Sequence, residues 1–310
     1  MIRSLFAVAF LCAHAADGQI RPENNAAATE IAFVSDTQQP MWVEKLFLHA
    51  DHNTKATAMI FSDILEQKPR AVYLLGDVVA LGFQNSKWAA VDIFLDSCHK
   101  KGILTFGLLG NHDVMGEAKK GERNFQKRFP DHAHTGYLSV VDSIGIILLN
   151  SNFHKLSPTD EARQQAWYDS TLHSLDSNPG IKGIIVACHH APYSNSKVVG
   201  SSKPVQDHFV PSFDRSRKAV LFLTGHSHNF EYFKMKEKVF LVIGGGGGLH
   251  QPLDTSQHRL PDLAGGYKPM FHYLKLTIYP DRLHLVSRSL NKDFSGFTDS
   301  LSFDIPCIFH

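Results

Sequence analysis

The strongest constraint on this chain is a set of six apolar runs: EIAFVSD (30–36), AVYLLGD (71–77), GILTFGLLGN (102–111), IGIILLNS (144–151), KGIIVACHH (182–190) and AVLFLTGH (219–226). Each has the length of a strand and is apolar nearly throughout, the pattern of a strand covered on both faces. Between several of them apolar residues recur every three to four positions. Ala56, Met59, Ile60 and Ile64 do so, as do Trp88, Val91, Phe94, Leu95 and Cys98, which predicts helices with one buried face. Ser157, Pro158 and Asp160 read as the N-cap, first position and first turn of another helix. After Asn229 the rhythm changes to consecutive strands, EYFKMKEKVFLVIGG, MFHYLKLTIY and RLHLVSRSL. Strand–helix alternation with a strand-rich tail predicts a layered α/β/β/α sandwich, two mixed sheets face to face with helices outside. No linker or composition shift divides it, so residues 16–310 read as a single domain.

Composition bounds the function. With 43% hydrophobic and 20% charged residues, the chain is that of an ordinary globular protein. Its 31 basic and 30 acidic side chains nearly cancel, so no global field draws it to nucleic acid or to an anionic membrane. The first residues read as a targeting signal. Arg3 precedes an apolar run, Leu5 to Cys12, and Ala13-His14-Ala15 has the small-x-small form of a cleavage site. That run is shorter than the ~20 residues of a membrane span, and no later segment reads as transmembrane. Residues 1–15 are therefore expected to be a signal peptide and the mature protein to be exported, periplasmic or extracellular. Cys98, Cys188 and Cys307 remain, an odd number without CxxC spacing, which indicates neither a zinc knuckle nor a disulfide framework. One disulfide with a spare thiol stays open, with Cys188 read as core.

Ligands of open α/β sheets gather beyond the carboxyl ends of the strands. Five of the six runs end in side chains of metal-binding type: Asp36 with Gln38, Asp77, Asn111-His112-Asp113, His189-His190, and His226-Ser227-His228. Singly, each is an ordinary strand end, a turn aspartate or a surface histidine. Five at one edge describe a site. Carboxylates, neutral imidazoles and amide oxygens suit borderline divalent ions such as zinc, manganese or iron. Glycines immediately before Asp77, Asn111 and His226 permit tight turns where the chain delivers each ligand. A carboxylate shared by two ions would hold them about 3.5–4 Å apart, the spacing used in phosphoryl chemistry.

The ordered series Asp36-x-Gln38, Gly76-Asp77, Gly110-Asn111-His112-Asp113, His189 and Gly225-His226-Ser227-His228 resembles the calcineurin-like metallophosphoesterase superfamily. GHSHNFEYF followed by VFLVIGGGGG is similar to the tail of the purple and tartrate-resistant acid phosphatases. The resemblance implies that Asp36, Gln38 and His228 ligate one ion and Asn111, His189 and His226 a second, with Asp77 bridging both. It implies that Asn111 and His112 meet the phosphate, with His112 contacting it or protonating the leaving oxygen, and that Asp113 orients the His112 ring. His190 is the alternative to His189, because Ala191 moves the proline of the family's pattern to Pro192. Two departures matter. Gln38 stands where most of the family has His, so the first ion is expected to be held more loosely, or to be manganese, magnesium or calcium. Ala80 stands where purple acid phosphatases have an iron-ligating Tyr, so a coloured ferric site is not expected.

The reaction implied is phosphate-ester hydrolysis by in-line attack of hydroxide activated by two divalent ions (manganese, iron or zinc), without a covalent nucleophile. His112 is the candidate general acid. The expected partner is a small-molecule phosphate ester, a monoester first, with no nucleic acid. A phosphodiesterase or nucleotide hydrolase would use the same residues. A third reading, an exported metal- or ligand-binding protein without turnover, is motivated by Gln38. Ser227 reads as a spacer between ligands. Gly244–Gly248 lacks the following helix of a dinucleotide loop and reads as chain passing close to the metal edge, with His250 a candidate substrate contact. His272 and His284 read as structural, and Trp42 and Trp88 are open between substrate rim and core.

Overall fold

The computed structural model describes residues 28–48 and 52–307; the signal peptide expected over residues 1–15 lies outside them. Two six-stranded sheets lie face to face. In the first, β1 (Thr29–Val34), β2 (Ala71–Leu75) and β3 (Leu104–Leu108) run parallel. That sheet is extended antiparallel from β1 by β10 (His272–Ile278), β11 (Arg282–Leu290) and β12 (Phe297–Pro306). In the second, β5 (Ile144–Leu148), β6 (Gly183–Ala187), β7 (Ala219–Thr224) and β9 (Lys238–Ile243) run parallel. Its antiparallel edges are β4 (Tyr137–Val141) and β8 (Phe230–Met235).

Period-two alternation sorts each strand into two cores. Ile31 and Phe33, Tyr73 and Leu75, Leu221 and Leu223, and Leu274 and Leu276 fill the layer between the sheets. Their neighbours Ala32, Val34, Val72 and Leu74 turn outward onto α1 (Asn53–Gln67) and α2 (Ala89–Lys100), meeting Ile60, Ile64, Val91 and Phe94. On the far side, Phe222 and Phe240 meet Tyr168 and Leu172 of α3 (Pro158–Ser177) and Phe213 of a short helix at Val210–Arg215. The α3 start is capped as expected, with Ser157 Oγ accepting from the Asp160 N–H at 3.2 Å. The layered α/β/β/α sandwich read from the sequence is the fold observed.

Some expectations need correction. EYFKMKEKVFLVIGG, read as one strand, is the β8–β9 hairpin, turning at Lys236 (φ 56°) and Glu237. The edge strands β4 and β12 were not anticipated, because β12 is largely polar and exposed and gives no apolar signal. Cys98, Cys188 and Cys307 are buried and unpaired, so the single disulfide left open does not form. Among the described residues no helix is long and apolar enough to cross a membrane.

Candidate metal centre

Each strand-end ligand stands two or three residues beyond its strand: Asp36 after β1, Asp77 after β2, Asn111 after β3, His189 after β6 and His226 after β7. The chain leaves those strands abruptly. Asp36, Asp77 and His226 have left-handed backbone, with φ of 60, 48 and 66°. That conformation is costly for residues other than glycine and persists where its surroundings over-determine it. Here backbone donors do so. The Asp36 N–H donates to the Gly76 carbonyl and the Gln38 N–H to the Asp77 carbonyl, both at 3.0 Å. The His226 N–H donates to the Asp36 carboxylate, at 3.0 and 3.2 Å from its two oxygens. At Gly76 (φ +87°) a Cβ would stand 2.6 Å from His189 Nδ1 and 2.7 Å from the Gly110 nitrogen, so the close approach of these loops requires glycine.

Two groups of ligand atoms result, each with its members within 4.8 Å of one another: Asp36, Asp77 and His228, and Asp77, His189 and His226. Asp77 belongs to both. His228 Nε2 lies 3.3 Å from Asp36 Oδ1, and His189 Nε2 lies 3.2 Å from Asp77 Oδ2. Asn111 Oδ1 joins the second group, 3.2 Å from His189 Nε2. Gln38 joins the first. With its amide nitrogen donating to the backbone carbonyls of Asp77 (2.9 Å) and Asp36 (3.1 Å), its oxygen faces His228 Nε2; the hydrogen-bond partners assign this orientation.

The imidazoles are oriented from behind. Nδ1 of His189 lies 3.0 Å from the Leu75 carbonyl, Nδ1 of His228 lies 2.6 Å from that of Leu249, and Nδ1 of His112 lies 3.2 Å from that of Ala80. A carbonyl only accepts, so each Nδ1 carries the proton and each Nε2 is turned into the site.

Asp36 and Asp77 are fully buried. Among the described residues neither pairs with Lys or Arg, and the groups facing them are imidazoles. Burial alone would raise the Asp77 carboxyl, but the His189 and His112 imidazoles outweigh it and hold it well below the usual carboxylate range. Burial alone would lower His189, yet Asp77 and then Asp36 push it up to about 9. His226, buried beside His190 and His189, is driven well below the ordinary imidazole value. Buried anions without a fixed cation, ringed by inward-facing nitrogen and oxygen donors, are a donor set for divalent ions, and the residues present fit two.

His112 Nε2 lies 3.9 Å from both Asp77 Oδ2 and Glu44 Oε1. Asp113 does not orient that ring, contrary to expectation; the Ala80 carbonyl does. The buried Asp113 carboxylate instead accepts from the N–H groups of Gly110 (2.9 Å), Val79 (3.2 Å) and Val78 (3.4 Å), tying the loop after β3 to the loop after β2. Burial, and then the Asp77 charge, push its carboxyl up to about 7. Of the histidine pair, His189 is in a ligand group, whereas His190 Nδ1 bonds Ser151 Oγ at 2.8 Å. His250 does not line the cavity over the ligands. The preceding Leu249 carbonyl is committed to His228, and the chain then presents Gln251, which donates to the His226 carbonyl at 3.3 Å. Ser227 donates to Glu231 at 3.2 Å, Trp88 is core, and Trp42 is exposed. The cavity, about 410 Å³, is also lined by Glu44, Phe47, Leu48, Val198 and Val199. Sequence reasoning missed these residues, because Glu44 opens a single 3-10 turn and the others sit on loops, none with a motif of its own.

A profile of the calcineurin-like phosphoesterases matches residues 29–230. In fold the chain is similar to a purple acid phosphatase from yellow lupin, Lupinus luteus, with TM-score 0.66 and 16% identity over 90% of this chain and 54% of that one. It is similar also to GAP50, the anchor in the inner membrane complex of Plasmodium, with TM-score 0.67 and 14% identity over 90% of this chain and 89% of that one. A dimetal phosphatase from Danio rerio gives TM-score 0.56 and 11% identity over 90% of this chain and 99% of that one. The chain spans about half (54%) of the length of the lupin protein. At these identities the likeness is one of fold. No curated protein matches the chain in sequence.

Proposed function

The chain belongs to the calcineurin-like phosphoesterase family, and we propose that it is a metal-dependent phosphoric ester hydrolase that acts on phosphate monoesters outside the cell. The observation that carries the reading is Asp77, shared by two ligand groups, with His112 Nε2 3.9 Å from its carboxylate. Asp36, Asp77, Gln38 and His228 would hold one ion, and Asp77, Asn111, His189 and His226 the other. When bound, the ions supply Lewis-acid neutralisation of phosphoryl oxygens and lower the pKa of water towards about 7. Charge favours the monoester: two divalent cations against two ligand carboxylates leave two positive charges, which a monoester dianion matches. The oxygen-rich first group favours manganese. Export is supported by the signal-like sequence of residues 1–15.

The chain's own residues do the rest. A water oxygen forms the new P–O bond as the bond to the leaving oxygen breaks. His112, its Nδ1 proton committed to Ala80 and a second proton carried on Nε2, delivers that second proton to the leaving oxygen, and the proton lost by the water replaces it on Nε2. The Asp77 and Glu44 carboxylates facing Nε2 complement an N–H there. The test strips the protein of metal and restores manganese, zinc or iron, with an aryl phosphomonoester and its matching diester as substrates. Restored turnover that is faster on the monoester and falls about 10²–10⁴-fold in His112→Ala is expected. A faster diester, or no turnover with any metal, would overturn the proposal.

A further inference from the structure

The cavity over the ligands has two unlike halves. Its floor is the polar set of Asp77, Asn111, His112, His226 and His228, whereas its wall is Phe47, Leu48, Val198 and Val199. Phe47 is 83% exposed and Val198 51%, and in the segment leading to Phe47 the side chains of Trp42 and Leu46 are 77% and 65% exposed. Large apolar side chains grouped in water at the mouth of a polar site mark a surface that something apolar covers. Charge narrows the occupant. Among the described residues lining the cavity none is Lys or Arg, and the charged group of the wall is Glu44, fixed by the Met41 N–H at 2.6 Å. One phosphate is met by the ligand floor. A second anion on the same molecule would find no cation and would face a carboxylate.

We infer that the preferred substrate is a singly phosphorylated ester of an extended, uncharged apolar alcohol, whose chain lies along Phe47 and Val198. This rests on the monoester reading above. In the reaction the P–O bond to the alcohol breaks as the water oxygen bonds phosphorus, and a proton from water ends on the alcohol. The products are the free alcohol and inorganic phosphate.

The test titrates manganese-loaded full-length protein with n-alkyl phosphonates from ethyl to octyl, which bind without being hydrolysed, and assays ethyl and octyl phosphate for turnover. Burial of the longer chain is expected to tighten octyl over ethyl phosphonate by about tenfold or more. Phe47→Ser and Val198→Ser, both at exposed positions, each reduce that ratio, and together they bring it to about twofold or less. A chain-length series that is flat in the wild type overturns the inference, even where ethyl phosphate is turned over and the hydrolase reading stands. An ω-carboxylated octyl phosphonate that binds as tightly as octyl phosphonate also overturns it. Chain-length-dependent binding with no turnover of either ester supports the apolar subsite but sinks the hydrolase reading, and with it the claim that the bound ester is a substrate.

Discussion

Gly248→Ala tests whether the chain behind His228 fixes its position at the first ion. A Cβ at residue 248 would stand 2.5, 2.6 and 2.7 Å from Cε1, Nδ1 and Nε2 of His228. That is about 1 Å inside the 3.5–4.0 Å of ordinary carbon contact. The backbone is not free to withdraw. The Gly248 N–H donates to the Asp36 carbonyl at 2.8 Å, and Asn53 Nδ2 donates to the Gly248 carbonyl at 3.0 Å. Relief therefore falls on the ring, which must abandon its 2.6 Å bond to the Leu249 carbonyl. Overpacking costs about 1–3 kcal/mol and the lost hydrogen bond about 0.5–1.5 kcal/mol. Because the ring moves once, the two do not add fully, and about 2–3 kcal/mol is expected. The first group would lose its one imidazole while the second stays whole. Metal analysis after dialysis should fall from two ions per chain to one, and the melting temperature should drop by several degrees. Gly266→Ala is the control, since a Cβ there meets nothing within 4 Å. Retention of both ions by Gly248→Ala, with unchanged melting, would refute the reasoning.

Three further predictions follow from the site and its supports. His189→Ala should abolish second-site binding, while His190→Ala, whose Nδ1 is held by Ser151, should weaken it by less than about tenfold; equal losses by metal titration would reject the assignment. In the metal-free protein His189 is pushed up to about 9, so at pH 7.5 uptake of the second ion should release about one proton, and release should fade above pH 9. Calorimetry in buffers of different ionisation enthalpy reads this, and uptake independent of pH would count against it. For Glu122, burial would raise the carboxyl, but hydrogen bonds from His132 and His134 outweigh it and bring it down to about 2 from 4.5. A depressed carboxyl stabilises fully above about pH 4.5 and loses that contribution as pH falls towards 2. Glu122→Gln should therefore cost about 1–3 kcal/mol at pH 6 by urea unfolding, with a difference that shrinks below pH 4.5; a constant difference would exclude the mechanism.

What was legible in the sequence was whatever local pattern determines. Fully buried parallel strands announce themselves as apolar runs; β2, β3, β5, β6 and β7 lie within the runs read for them, and β1 begins one residue before its run. Their polar termini converge because parallel strands share a direction, so the ligand positions could be listed before any geometry was known. The turn inside the β8–β9 hairpin was hidden because Lys236 and Glu237 interrupt two apolar segments without Gly, Asn or Pro. The cavity wall was hidden for another reason. Glu44 and Val198 are more than 150 residues apart, and only the finished sandwich brings their loops over one floor.

The misreading of Asp113 has a physical cause that bears on the whole site. Its place beside His112 suggested a side chain acting on its neighbour, but consecutive residues in a tight turn point in different directions. The buried N–H groups released where β2 and β3 end need an acceptor, and the Asp113 carboxylate takes three of them. Backbone demand thus claims a carboxylate that proximity in sequence had assigned to catalysis. Asp36 meets both demands at once. Its oxygens accept the N–H of left-handed His226, across from the other sheet, while the same carboxylate stands 3.3 Å from His228 Nε2. Asp36→Asn is therefore not a clean ligand deletion. The amide leaves one oxygen for both the N–H and the ion, so the change weakens the first ion and loosens the turn that presents His226 to the second. Loss at both sites from Asp36→Asn, against loss confined to the first from His228→Ala, would separate the carboxylate that holds the two sheets' ligand loops together from the imidazole that serves one ion.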